Sequence, residues 1–232
     1  GIISGDGGPA WADAVIICPW TVYLCYGDRQ ILEDNYDVFL RFMAWLENTQ
    51  QDYIRCYDGY DGWHGFGDWL NIDANTPKDI IGTAFFAYCA HLMARIARII
   101  GKPQDAARYG KLFSNIAESF QRHFLTEEGD IVARSQTACV LALMFDLADK
   151  AQRPALVERL VNDIKARGMH LSTGFAGSSY LNPVLTETGR HDIACKLLMQ
   201  TSWPSWLYAV TQGATTIWER WDGWTHDKGF QS

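Results

Sequence analysis

The dodecapeptide GATTIWERWDGW, residues 213–224, places one glutamate among three tryptophans. Glu219 stands between Trp218 and Arg220, and Trp221 follows directly after the arginine. Because a carboxylate loses hydration when it is brought near apolar rings, this position has two interpretations. Glu219 could be the structural ion-pair partner of Arg220 or of another base. It could instead face a pocket in which flat rings bind a sugar and the carboxylate transfers a proton.

Three other segments combine polar and aromatic residues near predicted helix ends: GDGGPAWADA (5–14), DGWHGFGDWLNID (61–73) and HLSTGFAGSSY (170–180). The first two supply the candidate substrate-binding residues Trp11, Asp13, Trp63, Asp68 and Trp69, which we group with Trp221. Two of these have a structural alternative, since Asp13 could cap a helix N-terminus and Asp68 could fix its loop. A lone histidine such as His64 is more often structural than catalytic.

Several other chemistries lack their motifs in this sequence. It contains no G-x-x-x-x-G-K-[ST] phosphate-binding loop, no G-x-S-x-G nucleophile elbow and no H-E-x-x-H zinc motif. The D-D-x-x-D motif of helical enzymes that ionise prenyl diphosphates is also absent. Carboxylates in an aromatic cleft remain, and they are the groups that glycoside hydrolysis requires. We therefore expect no metal and no cofactor.

The length allows one large domain or two small ones, and a chain that is 48% hydrophobic and 20% charged should bury a core. We predict a single domain over residues 1–232. A net charge of −7 argues against a nucleic-acid or anionic-membrane partner, both of which need a basic surface. No stretch approaches the roughly 18–20 uninterrupted apolar residues of a membrane span. The six cysteines form no C-x-x-C pair, which favours reduced thiols over zinc or disulfides.

Apolar residues recur at helical spacing along most of the chain. Helices are predicted at 11–26, 29–50, 78–100, 103–124, 135–149, 154–167, 179–188, 190–201 and 204–213. The long segment 53–77 is irregular and rich in Gly, Asp and aromatic residues, which is typical of a functional loop. The only β-like pieces are short, at 130–133 and 215–218. This pattern predicts an all-α fold of antiparallel helix pairs, arranged as a double-layered barrel with the longer loops at one end.

Longer segments resemble a known family. PAWADAVIICPWTVYLCYGD, FGDWL, TPKDIIGTAFFAYCAHLMARIA, HLSTGFAGSSYLNPVL and PSWLYAVTQGATTIWERWDGW are similar to the catalytic domain of bacterial α-L-rhamnosidases, glycoside hydrolase family 78. The resemblance covers essentially the whole chain, and its most specific part is the last segment. It implies an (α/α)6 barrel, the six-hairpin glycosidase fold, and removal of terminal α-L-rhamnose with inversion. The partner would then be an L-rhamnose-containing glycoside in a bacterium, in the cytoplasm or the periplasm.

The resemblance also implies a role for Glu219, as the general base. It places the general acid in a motif of Asp and Glu upstream of PAWADA and a sugar-contacting His downstream of WERWDG, so we expect this chain to hold the central hairpins of the barrel. A barrel without its end hairpins should leave apolar helix faces exposed. We expect Trp11, Asp13, Asp68, Trp69 and Glu219 to meet at one end of the barrel. In an extended segment Trp218 and Trp221 would point to opposite sides, with Glu219 and Trp221 nearer the pocket.

Other functions stay open on the sequence alone. A non-catalytic carbohydrate-binding helical barrel would keep the aromatic residues and lack the acid. A purely structural helical domain predicts Trp11, Trp69 and Trp221 within the core. A helical-barrel glycosidase could also act on another sugar. The oligomeric state does not follow from these residues.

Overall fold

A computed structural model describes residues 8–55 and 65–231. These residues form ten α-helices: α1 (Ala14–Tyr26), α2 (Gln30–Asp34), α3 (Tyr36–Asn48), α4 (Lys78–Ile99), α5 (Pro103–Phe124), α6 (Gln136–Met144), α7 (Arg153–Ala166), α8 (Phe175–Glu187), α9 (His191–Leu198) and α10 (Trp206–Thr211). Two short strands, β1 (Trp224–Thr225) and β2 (Gly229–Phe230), pair antiparallel as a hairpin. The prediction of an all-α fold is therefore confirmed.

The chain divides into two compact units, and unit 1 comprises Gly1–Gly67, Pro77–Thr126 and Phe145–Ala148. Its central element is α4, which packs against α5, α1 and α3. Most residues of α4 are buried, and several of these are small (Gly82, Ala84, Ala87, Ala90, Ala94 and Ala97). Small side chains let neighbouring helices approach closely, while the apolar stripe of α5 covers one side of α4.

Helix α4 has the length and apolar composition of a membrane-spanning helix. However, 83% of its apolar window is buried inside the chain, as it is in the core helix of a globular domain. A helix that is apolar on all sides is expected in either setting. Length and composition alone are therefore weak grounds for a membrane span.

Unit 2 comprises Asp68–Thr76, Glu127–Met144 and Asp149–Ser232. Its central element is α6, whose sequence QTACVLALM is buried over the first eight of its nine residues. Helices α7 and α8 pack against α6, and α9 packs against α8. The prediction of a single domain over residues 1–232 stays a prediction.

Among the differences from the predicted helix boundaries, three are the largest. The predicted helix at 29–50 is two helices, because Asn35 interrupts it and its side-chain amide donates to the Ile31 carbonyl at 2.8 Å. The predicted helix at 135–149 ends at Met144, and Asp146 has a left-handed φ of 54°. The predicted helix at 179–188 begins earlier, because α8 starts at Phe175.

Neither predicted β-like segment forms a strand. Residues 130–133 contain one isolated bridge residue, and residues 215–218 are irregular. The strands lie further along, where Trp224 pairs with Phe230 and Thr225 pairs with Gly229. The β-branched residues of TTIW gave the wrong prediction, because β propensity reflects packing against a partner strand more than the backbone itself.

Large apolar side chains are exposed in both units. In unit 1 they include Leu24 and Tyr26 at the end of α1 and Val38 in α3, and in unit 2 they include Leu198, Met199, Val210, Ile217 and Phe230. Ile217 is 97% exposed. Where such side chains adjoin one another, the exposed apolar patch usually marks a place where another chain segment or a ligand binds.

Two glycines should respond oppositely to alanine. Gly110→Ala, inside α5 with open space around the added Cβ, should stabilise the chain by about 0.5–1 kcal/mol. Gly129→Ala should destabilise it by more than about 1 kcal/mol, because Gly129 has a φ of 81° and a Cβ there would lie 3.0 Å from the Gln152 Cα. Urea unfolding followed by circular dichroism measures both, and equal shifts in the same direction would contradict the described backbone.

Candidate active site

A cavity of about 230 Å³ in unit 2 brings several predicted site residues together. It is lined by Trp69, Leu70, Gly174, Phe175, Ser178, Ser179, Trp206, Ile217, Trp218, Glu219, Arg220 and Trp221. Three of the predicted site residues, Trp69, Glu219 and Trp221, are among them. This volume lies just below the roughly 300–1,000 Å³ of pockets for drug-sized ligands, which favours a ligand as small as one sugar ring.

The carboxylate of Glu219 is exposed at this cavity. Arg220 is not its ion-pair partner, because the guanidinium binds both carboxylate oxygens of Asp222 at 3.0 and 3.2 Å. This contact lowers the pKa of Asp222 and raises that of Arg220. Within the part of the chain that the structure describes, Glu219 makes no hydrogen bond or ion pair. The structure therefore favours the pocket interpretation of Glu219 over the ion-pair one.

The residues around Glu219 form a turn and are not extended. The Gly223 amide donates to the Arg220 carbonyl at 3.1 Å, and a Cβ at Gly223 would lie 3.0 Å from the Trp218 ring. As a result, Trp218 and Trp221 line the same cavity. The expectation that they point to opposite sides was wrong, because it assumed an extended segment.

Trp221 is held in place by its polar edge. Its indole N–H donates to the Thr173 carbonyl at 2.9 Å, and its ring meets Trp206 edge-on, with centroids 5.6 Å apart. Trp206 begins α10, where the Ser205 hydroxyl caps the helix by accepting from the Tyr208 amide at 3.1 Å. A hydrogen-bonded indole presents its ring in one orientation, which suits a stacking surface.

The start of α8 supplies another part of the cavity. Gly174 allows a close approach, because a Cβ there would lie 2.2 Å from the Trp69 carbonyl oxygen. The next amide, from Phe175, donates to that same carbonyl at 2.9 Å. Trp69 and Phe175 are 45% and 49% exposed, so both rings stand at the surface of the cavity. This exposure argues against the structural-domain alternative, which predicts Trp69 in the core.

Asp68 precedes Trp69 but does not line the cavity. Its carboxylate is 2% exposed and accepts from the Thr137 hydroxyl at 2.6 Å, the Gly174 amide at 2.9 Å and the Ala176 amide at 3.0 Å. Burial raises the pKa of Asp68, and these hydrogen bonds act in the opposite direction. The predicted substrate contact through Asp68 stays a prediction.

Asp13 and Trp11 lie in unit 1. Asp13 is buried, and it accepts from the Ala10 amide at 2.8 Å and from the Cys89 thiol at 3.2 Å. Burial raises its pKa, and its side chain makes no capping bond to α1. The Trp11 ring lies 4.7 Å from that of Phe66. Trp63 lies outside the described residues, and the meeting of all predicted site residues at one end of a barrel stays a prediction.

Several lining residues were absent from the predicted set. Two of them, Phe175 and Ser179, belong to the segment HLSTGFAGSSY, and Trp206 belongs to the last family-like segment. Nothing in the sequence shows which of these side chains meet the cavity. Phe175 and Ser179 are four residues apart on α8, the spacing of neighbours on one helix face. That spacing is a usable signal only once the start of α8 is known.

A second cavity in unit 2, of about 480 Å³, shares five of these residues: Trp206, Ile217, Trp218, Arg220 and Trp221. Its remaining lining is mostly apolar, with Leu198, Leu207, Ala209, Val210 and Ala214 and the hydroxyls of Ser205, Thr215 and Thr216. It contains no carboxylate among the described residues, so Glu219 distinguishes the first cavity as the candidate active site.

Comparison with known proteins identifies the family of this chain. Residues 3–232 match the family model described as bacterial alpha-L-rhamnosidase 6 hairpin glycosidase domain. An alpha-L-rhamnosidase of Streptomyces avermitilis is 44% identical over 98% of this chain, and one of Formosa agariphila is 37% identical over 98%. The chain spans only 21% and 25% of the lengths of these two relatives.

Solved structures agree as well. The crystal structure of the Streptomyces avermitilis enzyme complexed with L-rhamnose superposes with a TM-score of 0.92 at 43% identity, covering 99% of this chain and 22% of that one. The native enzyme of Aspergillus terreus gives a TM-score of 0.88 at 29% identity, covering 98% and 27%. The chain therefore belongs to the six-hairpin glycosidase domain family of bacterial α-L-rhamnosidases.

Proposed function

We propose that this chain carries the base-bearing part of an α-L-rhamnosidase active site, which removes terminal α-L-rhamnose from rhamnosides. The observation that carries the proposal is the exposed carboxylate of Glu219 in an aromatic cavity, without a partner among residues 8–55 and 65–231. A relative that is 43% identical was crystallised with L-rhamnose, which supports that sugar as the ligand. The rings of Trp69 and Trp221 would pack against the apolar face and the C6 methyl group of this 6-deoxy sugar.

The proposed reaction inverts the anomeric centre. Glu219 takes a proton from a water molecule, and the oxygen of that water attacks C1 of the rhamnose. The bond between C1 and the aglycone oxygen breaks, and a general acid protonates that oxygen. The base must act across the sugar from the acid, with room between for the water. An exposed carboxylate beside the cavity suits this role.

The general acid is a second carboxylate, which we propose lies in the Asp- and Glu-rich motif that the family carries before PAWADA. Arg220 has its own part in the proposal. Because Asp222 holds the guanidinium, Arg220 stays close to Glu219 without forming an ion pair that would occupy the carboxylate oxygens.

Glu219→Gln should lose most of its turnover. The amide is nearly isosteric, so the fold should persist, while kcat should fall by about 10²–10⁴-fold because the base is removed. KM should change much less, since the sugar contacts remain. The measurement is hydrolysis of an aryl α-L-rhamnoside by the full natural polypeptide that contains these residues.

Azide provides the matched control for this variant. As a nucleophile that needs no base, azide should restore part of the activity of Glu219→Gln and give the β-configured glycosyl azide. Activity close to that of the parent would instead make Glu219 a structural residue. Rhamnose binding without hydrolysis by the parent would identify a carbohydrate-binding barrel, the alternative function.

The first product released should be β-L-rhamnose, because an inverting enzyme places water on the face opposite the aglycone. Proton NMR of the anomeric signal, recorded before mutarotation, measures this outcome. An initial α-anomer would leave Glu219 in the reaction, but as a nucleophile that forms a covalent intermediate.

A further inference from the structure

We propose that Asp68 is a positioning residue of this site, whose buried carboxylate binds the start of α8 and thereby orients Trp69, Phe175 and Trp221 around the cavity. The role replaces the direct sugar contact predicted for Asp68, and it rests on the proposed function only for its kinetic consequences.

The first step is the capping of α8 by a residue from far away in the sequence. The residue at the N-cap position is Gly174, which has no side chain to cap the helix. Asp68 supplies the missing acceptor, because its Oδ2 accepts from the Gly174 amide and its Oδ1 from the Ala176 amide. A carboxylate at a helix N-terminus is favoured by both these bonds and the helix dipole.

The second step fixes two rings. Trp69 follows Asp68 directly, and its carbonyl accepts from the Phe175 amide at 2.9 Å. The turn at 68–71 is closed by the Asn71 amide, which donates to the Asp68 carbonyl at 3.1 Å. The hydrogen bonds of Asp68 therefore fix the backbone positions of both Trp69 and Phe175.

The third step reaches the residues beside Glu219. Thr173, just before the capped amides, presents its carbonyl to the Trp221 indole N–H at 2.9 Å. The Thr173 hydroxyl is itself hydrogen bonded to Ser178 within α8 at 2.8 Å. A shift of the start of α8 would therefore move the acceptor that orients Trp221.

A direct sugar contact is the competing role, and the surroundings of Asp68 argue against it. The side chain is 2% exposed and does not line the cavity. Its Oδ2 already accepts two hydrogen bonds, from Thr137 and Gly174, and its Oδ1 accepts one from Ala176. A carboxylate used in this way has no surface to offer a ligand.

Asp68→Asn tests the proposal in the full natural polypeptide. The amide group would place N–H donors against the donors of Thr137 or α8. The rings of Trp69, Phe175 and Trp221 should then lose their orientation. We expect KM for an aryl α-L-rhamnoside to rise about tenfold and kcat to change less than about twofold, because ring contacts bind substrate and transition state alike. Thr137→Val, which keeps the carboxylate and removes one donor, should raise KM in the same direction by less.

Two further variants sharpen this test. Asp68→Asn combined with Thr137→Val should raise KM by less than the product of the two single effects, since both act through one hydrogen-bond network. Thr76→Val is the matched control, because it removes another buried hydroxyl pair of unit 2, with Ser135 at 2.7 Å. It should lower the melting temperature and leave KM unchanged.

The indole proton of Trp221 gives a reading that is independent of activity. In ¹H–¹⁵N spectra, assigned with Trp221→Phe, Asp68→Asn should move this signal toward that of an indole without the Thr173 bond, and Thr76→Val should not.

A raised KM for Asp68→Asn alone, with KM unchanged in Thr137→Val and the indole signal unmoved, would make Asp68 a sugar contact. A lower melting temperature with unchanged KM and indole signal would make it merely structural. A parent without rhamnosidase activity would refute the proposed function, while the indole signal would still decide the positioning role.

Discussion

The organisation of unit 2 around the candidate site depends on one buried carboxylate at one helix end. Burying a charged group without partners is costly, and so is leaving the first amides of a helix unsatisfied. Asp68 and the start of α8 solve both problems together, since the carboxylate accepts from Gly174 and Ala176. Thr137 from α6 adds the third bond. The interaction joins three segments that are distant in sequence, and two of them contribute lining to the cavity, through Trp69 and through the start of α8.

A second interaction, the ion pair between Arg220 and Asp222, determines whether the carboxylate of Glu219 is available. Arg220 has two acidic neighbours in sequence, Glu219 and Asp222. The turn at 218–223 places its guanidinium against the carboxylate of Asp222. A bidentate contact between guanidinium and carboxylate is geometrically specific, so Arg220 is fixed while Glu219 is left without a hydrogen-bonded partner among the described residues. The same turn brings Trp218 and Trp221 to one cavity. A strand through these residues would have separated the two rings.

The sequence predicts those features that depend on neighbours in the chain. The boundaries of α5 are predicted correctly, because Pro103 starts the helix and its apolar stripe is regular. The start of α8 could not be predicted, since Asp68 caps it from more than 100 residues away. Aromatic content identifies Trp69 and Trp221 as candidates, the carboxylate among the tryptophans identifies Glu219, and the family resemblance adds its role as general base. The lining by Phe175, Ser179 and Trp206 depends on packing that no local pattern records.

Three acidic residues were candidates for the site, and their surroundings separate them. Asp13 and Asp68 are each at most 2% exposed, and burial raises the pKa of both. Each already accepts hydrogen bonds from the chain itself, and neither faces open space. A base that activates water needs that space, and of the three only Glu219 is exposed. The aromatic residues supply the surface that the proposed reaction needs to bind a sugar. An exposed ring such as Trp69 is costly to hydrate, and a bound sugar face would cover it. In the proposed reaction, Asp68 orients the rings of the site and the exposed Glu219 reacts.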